Sequence, residues 1–388
     1  MKIPITRPFF GEEERRALVA PLDTGWVVQG PEVDRFEKAF AAYAGARHAI
    51  ATTSCTTALH LAVAALGLQP GDEVIVPGFT WVATPNVVEH MGATPVFCDI
   101  DLATFNIDVS GIERLITKNT VGIMPVHLFG LAADMDQVLA IARKHSLWVV
   151  EDAACGFAAS YRGRHVGTFG DAGCFSFHPR KSITTGEGGM LTTARADLAD
   201  AVRTLRDHGA SRSDLSRHTG AAGYLLADYP VAGYNYRMTD FQGALGCAQM
   251  DRAPSLVAGR VARARAYDAA LAGCSWLRLP RVPDGYVHGY QSYVTLFAPE
   301  APASTNVDAL HARRNALMAA LDRQGIATRQ GTHAPVLQTY YATKYPAARA
   351  SCPNSVLADR LSLSLPLFPQ MTGDEQAYVV SALLEAKP

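Results

Sequence analysis

Residues 47–77 read RHAIATTSCTTALHLAVAALGLQPGDEVIVP, and this stretch decides the fold. Arg47–Ala51 is a short apolar run. From Thr56 to Leu66, the apolar residues Ala58, Leu59, Leu61, Ala62, Ala65 and Leu66 recur with the spacing of one helical face. Gly67, Pro70 and Gly71 close that helix, and Glu73-Val74-Ile75-Val76-Pro77 reads as a buried strand. Strand, helix and strand in about thirty residues make a βαβ unit.

Working outward, the same rhythm recurs through about residue 200. The patterns predict a helix at Thr84–Met91, a strand at Pro95–Cys98, a helix at Gly111–Ile116 and a strand at Val121–Val126. They then predict a helix at Met135–His145 and a strand at Leu147–Val150. Short apolar strands alternating with helices of about ten residues imply an α/β fold, with a mostly parallel sheet covered on both faces. After about residue 245 the rhythm changes. A long helix is expected over Asp251–Ala272, with Arg252, Arg260, Arg263 and Arg265 on its polar side. Beyond it come a strand at Tyr290–Phe297, a helix at Asn306–Gln324, a strand at Ser362–Pro366 and a closing helix at Gly373–Lys387. The expected division is a large domain, 1–245, and a smaller α+β domain, 246–388. Ser211–Tyr229 is polar and aperiodic and reads as a loop near a site or an interface.

The composition narrows the function classes. The 388 residues amount to two to three ordinary domain lengths, with 48% hydrophobic and 18% charged residues, as in a packed globular protein. Net charge is 35 − 36 = −1, which argues against a surface built to neutralise nucleic-acid phosphates. Seven scattered cysteines without a C-x-x-C pair suit reduced thiols better than a disulfide frame or a metal knuckle. No signal pattern opens the chain and no apolar run is long enough to span a bilayer, so a cytoplasmic protein is expected.

Four segments carry candidate chemistry. Thr52-Thr53-Ser54-Cys55-Thr56-Thr57-Ala58 places five hydroxyls at a helix start, either as an ordinary cap or as an anion site. Leu147-Trp148-Val149-Val150-Glu151-Asp152 ends a strand in two carboxylates, at the edge where open parallel sheets bind ligands. They could cap a helix, hold a metal or face a cationic ring nitrogen. Cys174-Phe175-Ser176-Phe177-His178-Pro179-Arg180-Lys181 delivers a lysine just before the turn Gly186-Glu187-Gly188-Gly189. Most lysines are solvated, but one set among Phe175, Phe177 and Ile183 would be desolvated, and desolvation favours the neutral, nucleophilic amine. Gly233-Tyr234-Asn235-Tyr236-Arg237 is either loop packing or an anion contact across a subunit interface. The lysine precedes the glycines, so this is no P-loop, and G-x-G-x-x-G is absent. A phosphate cradle, a carboxylate 181 − 152 = 29 positions before a lysine and the aromatic Trp81 together fit pyridoxal phosphate (PLP). The lysine would hold the aldehyde as a Schiff base and the carboxylate would keep the pyridine nitrogen protonated.

At this point the chain resembles the DegT/StrS-type aminotransferases, which aminate keto-sugar nucleotides with vitamin B6. The resemblance rests on Gly71-Asp72-Glu73-Val74-Ile75-Val76-Pro77, Pro125-Val126-His127-Leu128-Phe129-Gly130, Glu151-Asp152-Ala153-Ala154, Ser176-Phe177-His178-Pro179-Arg180-Lys181 and Thr184-Thr185-Gly186-Glu187-Gly188-Gly189-Met190. It continues in Tyr234-Asn235-Tyr236-Arg237-Met238-Thr239-Asp240 and Leu365-Pro366-Leu367. It implies a PLP-dependent fold-type I large domain (aspartate aminotransferase-like) with a smaller C-terminal domain, working as a homodimer with interface active sites. It further implies that Lys181 carries the cofactor, Asp152 meets the pyridine nitrogen and Trp81 stacks on the ring. Ser176, Thr57 and Ala58 would meet the phosphate from the same subunit, and Asn235 from the other. Substrate contacts would come from His178, Arg237 and His333. The implied reaction moves an amino group from L-glutamate to a keto-sugar nucleotide, at C4 of a 6-deoxy-hexose or at C3, with no metal. Relatives that are dehydratases have histidine in place of the lysine, and others aminate cyclitols. Two departures stand out: Cys155 follows Glu-Asp-Ala-Ala where many members carry Gln or His near the cofactor hydroxyl. The family's Pro-Leu-His-Leu-Gln stretch survives only as Pro335-Val336-Leu337-Gln338, with His333 two residues earlier.

Overall fold

The strand Glu73–Pro77 forms as its apolar run dictates, and six others join it in a computed structural model that describes residues 1–212, 215 and 226–387. The sheet strands are β1 (His48–Thr52), β2 (Glu73–Pro77), β3 (Thr94–Cys98), β4 (Thr120–Ile123) and β5 (Trp148–Asp152). Two hairpins, β6 (Ser160–Tyr161) with β7 (Arg164–His165) and then β8 (Ala172–Ser176) with β9 (Gly189–Thr193), follow. The seven-stranded order is β1-β9-β8-β5-β4-β2-β3. Every neighbouring pair from β8 to β3 is parallel, and β9 alone runs against its neighbours β1 and β8. Val74, Ile75 and Val76 are fully buried because helices cover both faces, and burial of each such side chain contributes ~1.5–3 kcal/mol.

The helices needed for this cover are α1 (Glu12–Thr24), α2 (Pro31–Ala44), α3 (Cys55–Ala65), α4 (Ala83–His90), α5 (Met135–His145) and α6 (Ala196–Arg206). The helix expected at Gly111–Ile116 is replaced by two 3₁₀ turns, Val109–Gly111 and Glu113–Leu115, with Asp108 capping the first through Ser110 N–H. The segment is too short to propagate an α-helix once capped there. The expected loop Ser211–Tyr229 lies largely outside the described residues.

The long helix α7 (Asp240–Leu271) starts eleven residues before the expected Asp251. Thr239 accepts from Gln242 N–H, and the Gln242 side chain returns to the Thr239 N–H, a capping box that the apolar pattern did not flag. The expected boundary at 245/246 falls inside this helix. Asp240, itself buried, accepts the N–H groups of Gly30, Glu32 and Val33, and so caps α2, whose own N-cap Gly30 has no side chain to do it. Arg260 is not on a polar face as expected but buried. Its guanidinium donates to the carbonyls of Gln291, Leu367 and Lys181, and burial pushes its pKa down to about 10.

A second, antiparallel sheet of β10 (Leu277–Arg278), β12 (Tyr293–Phe297) and β13 (Ser362–Leu365) carries the C-terminal part, packed by α8 (Val307–Arg323) and α9 (Gly373–Glu385). Between them in sequence, β11 (Tyr286–Val287) instead pairs with β6, tying the C-terminal part to the loop after β5. The first residues of the chain also join that part: Ile3 bridges Ile326, and Ile5 O accepts from Leu367 N–H.

Candidate active site

Register brings three of the four sequence segments to one edge of the large sheet, and the fourth joins them where Thr53 N–H donates to Tyr236 O. Thr52 pairs with Gly189, Gly189 with Ser176, Cys174 with Asp152 and Asp152 with Val126. The C-terminal ends of β1, β8 and β5 therefore meet, and the loop joining the antiparallel β8 and β9, residues 177–188, carries Lys181 over that edge. Gly189 is needed there: a Cβ would lie 2.3–2.6 Å from Ser54 and Cys55 backbone atoms.

Adjacent carboxylates on β5 have opposite fates, because successive strand residues face opposite sides. Glu151 is fully buried and accepts the N–H groups of Gly167, Phe169 and Gly170 at 2.6–2.7 Å. His127 Nδ1 accepts from Ala133 N–H, which leaves Nε2 to donate to Glu151 Oε2 at 2.8 Å. Glu151 is therefore an internal anchor. Asp152, 4% exposed, faces the other way. Its carboxylate accepts from Thr84 Oγ1 at 2.7 Å and from Ala154 N–H at 3.1 Å, and no cation pairs with it among the described residues.

Lys181 Nζ donates to Cys155 Sγ at 3.2 Å. Its carbonyl is held by Arg260 and its N–H donates to His178 O. The expected aromatic surround is not there. Phe175 and Phe177 point the other way into the core, against Phe40, with ring centroids 4.9 and 5.6 Å apart. The lysine instead lies half-buried beside a thiol. The buried Cys55 thiol is pushed well up by desolvation and further by the charge of Asp152, while the charge of Lys181 opposes this, so all three groups share one neighbourhood.

At the start of α3, Ser54 Oγ accepts from Thr57 N–H and the Thr57 hydroxyl donates to Ser54 O. Ala58 is fully buried and its N–H donates to Ser54 O, so this expected phosphate contact has no free donor: it already lies one residue inside the hydrogen-bonded turn. Thr56, which the sequence reading placed in the hydroxyl run but did not name as a phosphate contact, is half-buried and its hydroxyl has no partner among the described residues. Its N–H and that of Cys55 are the orphan donors of the helix end. The signal was its place two residues after the capping serine. Ser176 Oγ accepts weakly from His178 N–H at 3.4 Å. Burial lowers the pKa of His178. Trp81, 58% exposed, lies 5.7 Å from the His333 ring, so these two side chains line the same opening. Thr84 on α4 was likewise missed, since nothing in a lone threonine announces an aspartate 68 residues later.

Arg237 is not open to a ligand within this chain, because it pairs with Asp207. Asn235 is exposed and, among the described residues, only its backbone is engaged, bridging Asp207. All seven cysteines are free, and no metal-binding cluster occurs among the described residues. No helix among those residues is long and apolar enough to cross a membrane.

PLP fits this donor set. A buried carboxylate lacking a cation suits a protonated ring nitrogen, since an unpaired buried charge is costly. The orphan N–H groups and free hydroxyl of α3 suit a phosphate. A lysine amine between them suits the aldehyde.

A family model described as the DegT/DnrJ/EryC1/StrS aminotransferase family matches residues 8–384. The chain is 39% identical over 382 residues to the spore coat polysaccharide biosynthesis protein SpsC of Bacillus subtilis, covering 98% of this chain and 96% of that one. It is 47% identical over 260 residues to the GDP-perosamine synthase of Caulobacter vibrioides, covering 67% of each. A Streptococcus pneumoniae structure solved in its PMP form superposes with a TM-score of 0.91 at 28% identity, covering 100% of this chain and 99% of that one. The chain belongs to the DegT/DnrJ/EryC1/StrS aminotransferase family and is a PLP-dependent aminotransferase.

Proposed function

We propose that the chain transfers an amino group from L-glutamate to a keto-sugar nucleotide, at C4 of a 6-deoxy-hexose or at C3. The observation that carries the reading is the buried, cation-free Asp152 carboxylate at the same sheet edge as Lys181. The identity to a GDP-perosamine synthase and to a polysaccharide biosynthesis protein supports the sugar substrate.

PLP, when bound, supplies an electrophilic aldehyde and an electron-withdrawing ring. Asp152 holds the proton on the ring nitrogen, with Thr84 fixing its carboxylate. With PLP bound, Lys181 Nζ would take the proton from the donor's α-carbon in one half-reaction and deliver one to the carbon that becomes aminated in the other. Trp81 orients the ring by stacking. Thr56, Thr57 and Ser176 bind the phosphate. Asn235 completes this contact in the partner of a homodimer, which accounts for its unengaged side chain. His178, Arg237 and His333 face the substrate, Arg237 after leaving Asp207. The working unit divides into a large part, 1–245, and a small part, 246–388, and acts in the cytoplasm.

An absorption spectrum of the reconstituted protein, before and after L-glutamate, tests this. A visible-edge band that collapses to shorter wavelength and returns with one of a panel of UDP-, GDP- or dTDP-linked keto-sugars is expected. A band that responds to glutamate but to none of the sugars refutes the acceptor assignment.

A further inference from the structure

We propose that Cys155 and Lys181 form an oxidative modification site, at which hydrogen peroxide joins Cys155 Sγ to Lys181 Nζ through a reversible S–N bond. The consequence for turnover rests on the aminotransferase reading of the same site, whereas the bond itself concerns these two side chains alone.

The backbone fixes both partners. Lys181 O accepts from Arg260, and Lys181 N–H donates to His178 O. Cys155 sits in a turn closed by Gly156 N–H, which donates to Ala153 O at 2.7 Å. That turn packs closely, since a Cβ on Gly156 would lie 2.6 Å from the Val166 side chain. Held in this way, Nζ lies 3.2 Å from Sγ, and among the described residues no carboxylate pairs with Nζ. Of the seven cysteines six are buried, and Cys155 alone is half-buried. Thiol oxidation follows exposure, so a small oxidant meets this sulfur first. Cys55 is the rival in the same neighbourhood. Its buried Sγ donates to Cys174 O at 3.3 Å, and desolvation pushes its thiol well up, which keeps it protonated and unreactive. The side chain placed to meet an oxidised Cys155 is therefore the lysine.

The reaction has two steps. Cys155 Sγ attacks one oxygen of hydrogen peroxide: an S–O bond forms, the O–O bond breaks, the sulfur gives two electrons to the peroxide and water leaves. The neutral Nζ then attacks the sulfenic sulfur: an S–N bond forms, the S–O bond breaks, and the oxygen departs with an amine proton as a second water. The chain has then lost two hydrogens. A positioned amine acts at high effective concentration, so it intercepts the sulfenic acid before a second peroxide does. An external dithiol reverses the bond: the sulfur returns to the thiol, Nζ regains its proton and the dithiol becomes a disulfide. A nitrogen bound to sulfur is closed to the PLP aldehyde, and a nitrogen bound to PLP is closed to sulfur. PLP therefore protects the pair, whereas pyridoxamine phosphate, which leaves Nζ free, does not.

The full chain is treated with hydrogen peroxide in cofactor-free, PLP-loaded and pyridoxamine-phosphate-loaded forms, then digested and mapped by mass spectrometry. A peptide pair joining Cys155 to Lys181, lighter by two hydrogens, is expected in the cofactor-free and pyridoxamine-phosphate forms. It should be absent from the PLP-loaded form and disappear on adding dithiothreitol. The treated cofactor-free chain should fail to develop the visible-edge band with PLP and recover it after dithiothreitol. In Cys155→Ser and Cys155→Ala, each compared with its own untreated sample, peroxide should leave that band intact. Recovery of Lys181 unlinked, with Cys155 as a sulfinic acid or in a disulfide with Cys55, overturns the proposal. So does an equal peroxide-driven loss of the band in the wild type and both variants. If one variant fails to fold, the other and the wild-type peptide map decide. A crosslink that PLP does not prevent would support the bond and count instead against Lys181 as the lysine that carries the cofactor.

Discussion

Thr84 Oγ1 donates to Asp152 Oδ2 at 2.7 Å, and Thr84 in turn lies 3.0 Å from the hydroxyl of Thr80, so the carboxylate is held by a short chain of hydroxyls rather than by a cation. A fixed but uncompensated negative charge is what a cationic ring nitrogen requires.

Asp152→Asn should therefore lower kcat by ~10²–10⁴-fold, the range for a misassigned proton in acid–base catalysis. Thr84→Val removes one neutral hydrogen bond, so its cost should be ~3–10-fold. The gain in melting temperature on adding PLP should shrink in Asp152→Asn and persist in Thr84→Val. Near-normal turnover in Asp152→Asn would remove that residue from its role.

The neighbouring carboxylate should behave in the opposite way. Glu151→Ala leaves the His127 ring and three backbone N–H groups unpaired in the interior. A loss of ~3–5 kcal/mol in urea denaturation is expected. Glu151→Gln, which keeps one acceptor oxygen, should lose less. Stability equal to wild type in Glu151→Ala would contradict the anchor role.

Stability should fall in mild acid, in part through His288. Burial pushes its pKa down to about 3, and Nδ1 accepts from Tyr290 N–H in the neutral form. The unfolded chain binds that proton near pH 6.5 and the folded chain does not, so stability declines as pH drops from about 6.5 towards 3, and the term vanishes above 6.5. At pH 5 the cost is ~2 kcal/mol. Melting temperatures from pH 7 to pH 5 should decline less steeply in His288→Gln, and equal slopes would refute the assignment.

Arg260→Met should loosen the lysine loop, because the guanidinium joins Lys181 O to Gln291 O and Leu367 O. Expected effects are a lower melting temperature and faster loss of PLP on dilution, by ~10-fold if one such hydrogen bond holds the loop. Unchanged PLP retention would show that the loop is held otherwise.

Several features were legible in the residues themselves. The β2 run Glu73–Pro77 and the helix Met135–His145 begin and end where the pattern puts them, because local apolar spacing and Gly or Asp punctuation act within a few residues. The pairing of Asp152 with Lys181 as candidates was legible because Asp152 ends β5 and Lys181 follows β8 within five residues, and strand ends of an open sheet converge. Other features had no local trace. The choice between Glu151 and Asp152 depends on which face of β5 meets the His127 turn. The loss of Ala58 as a donor depends on where the α3 cap falls. The missed start of α7 did have a local signal, the Thr239–Gln242 capping box, whereas the Asp240 cap on α2 and the burial of Arg260 depend on partners some 30 to 210 residues away in sequence. Periodicity and turn chemistry are short-range properties, so the sequence by itself determined the order and class of the elements and the chemistry they carry to one edge. Which side chain at that edge is spent on internal hydrogen bonds, and which is left facing the opening, is a question of long-range pairing that only the tertiary structure decided.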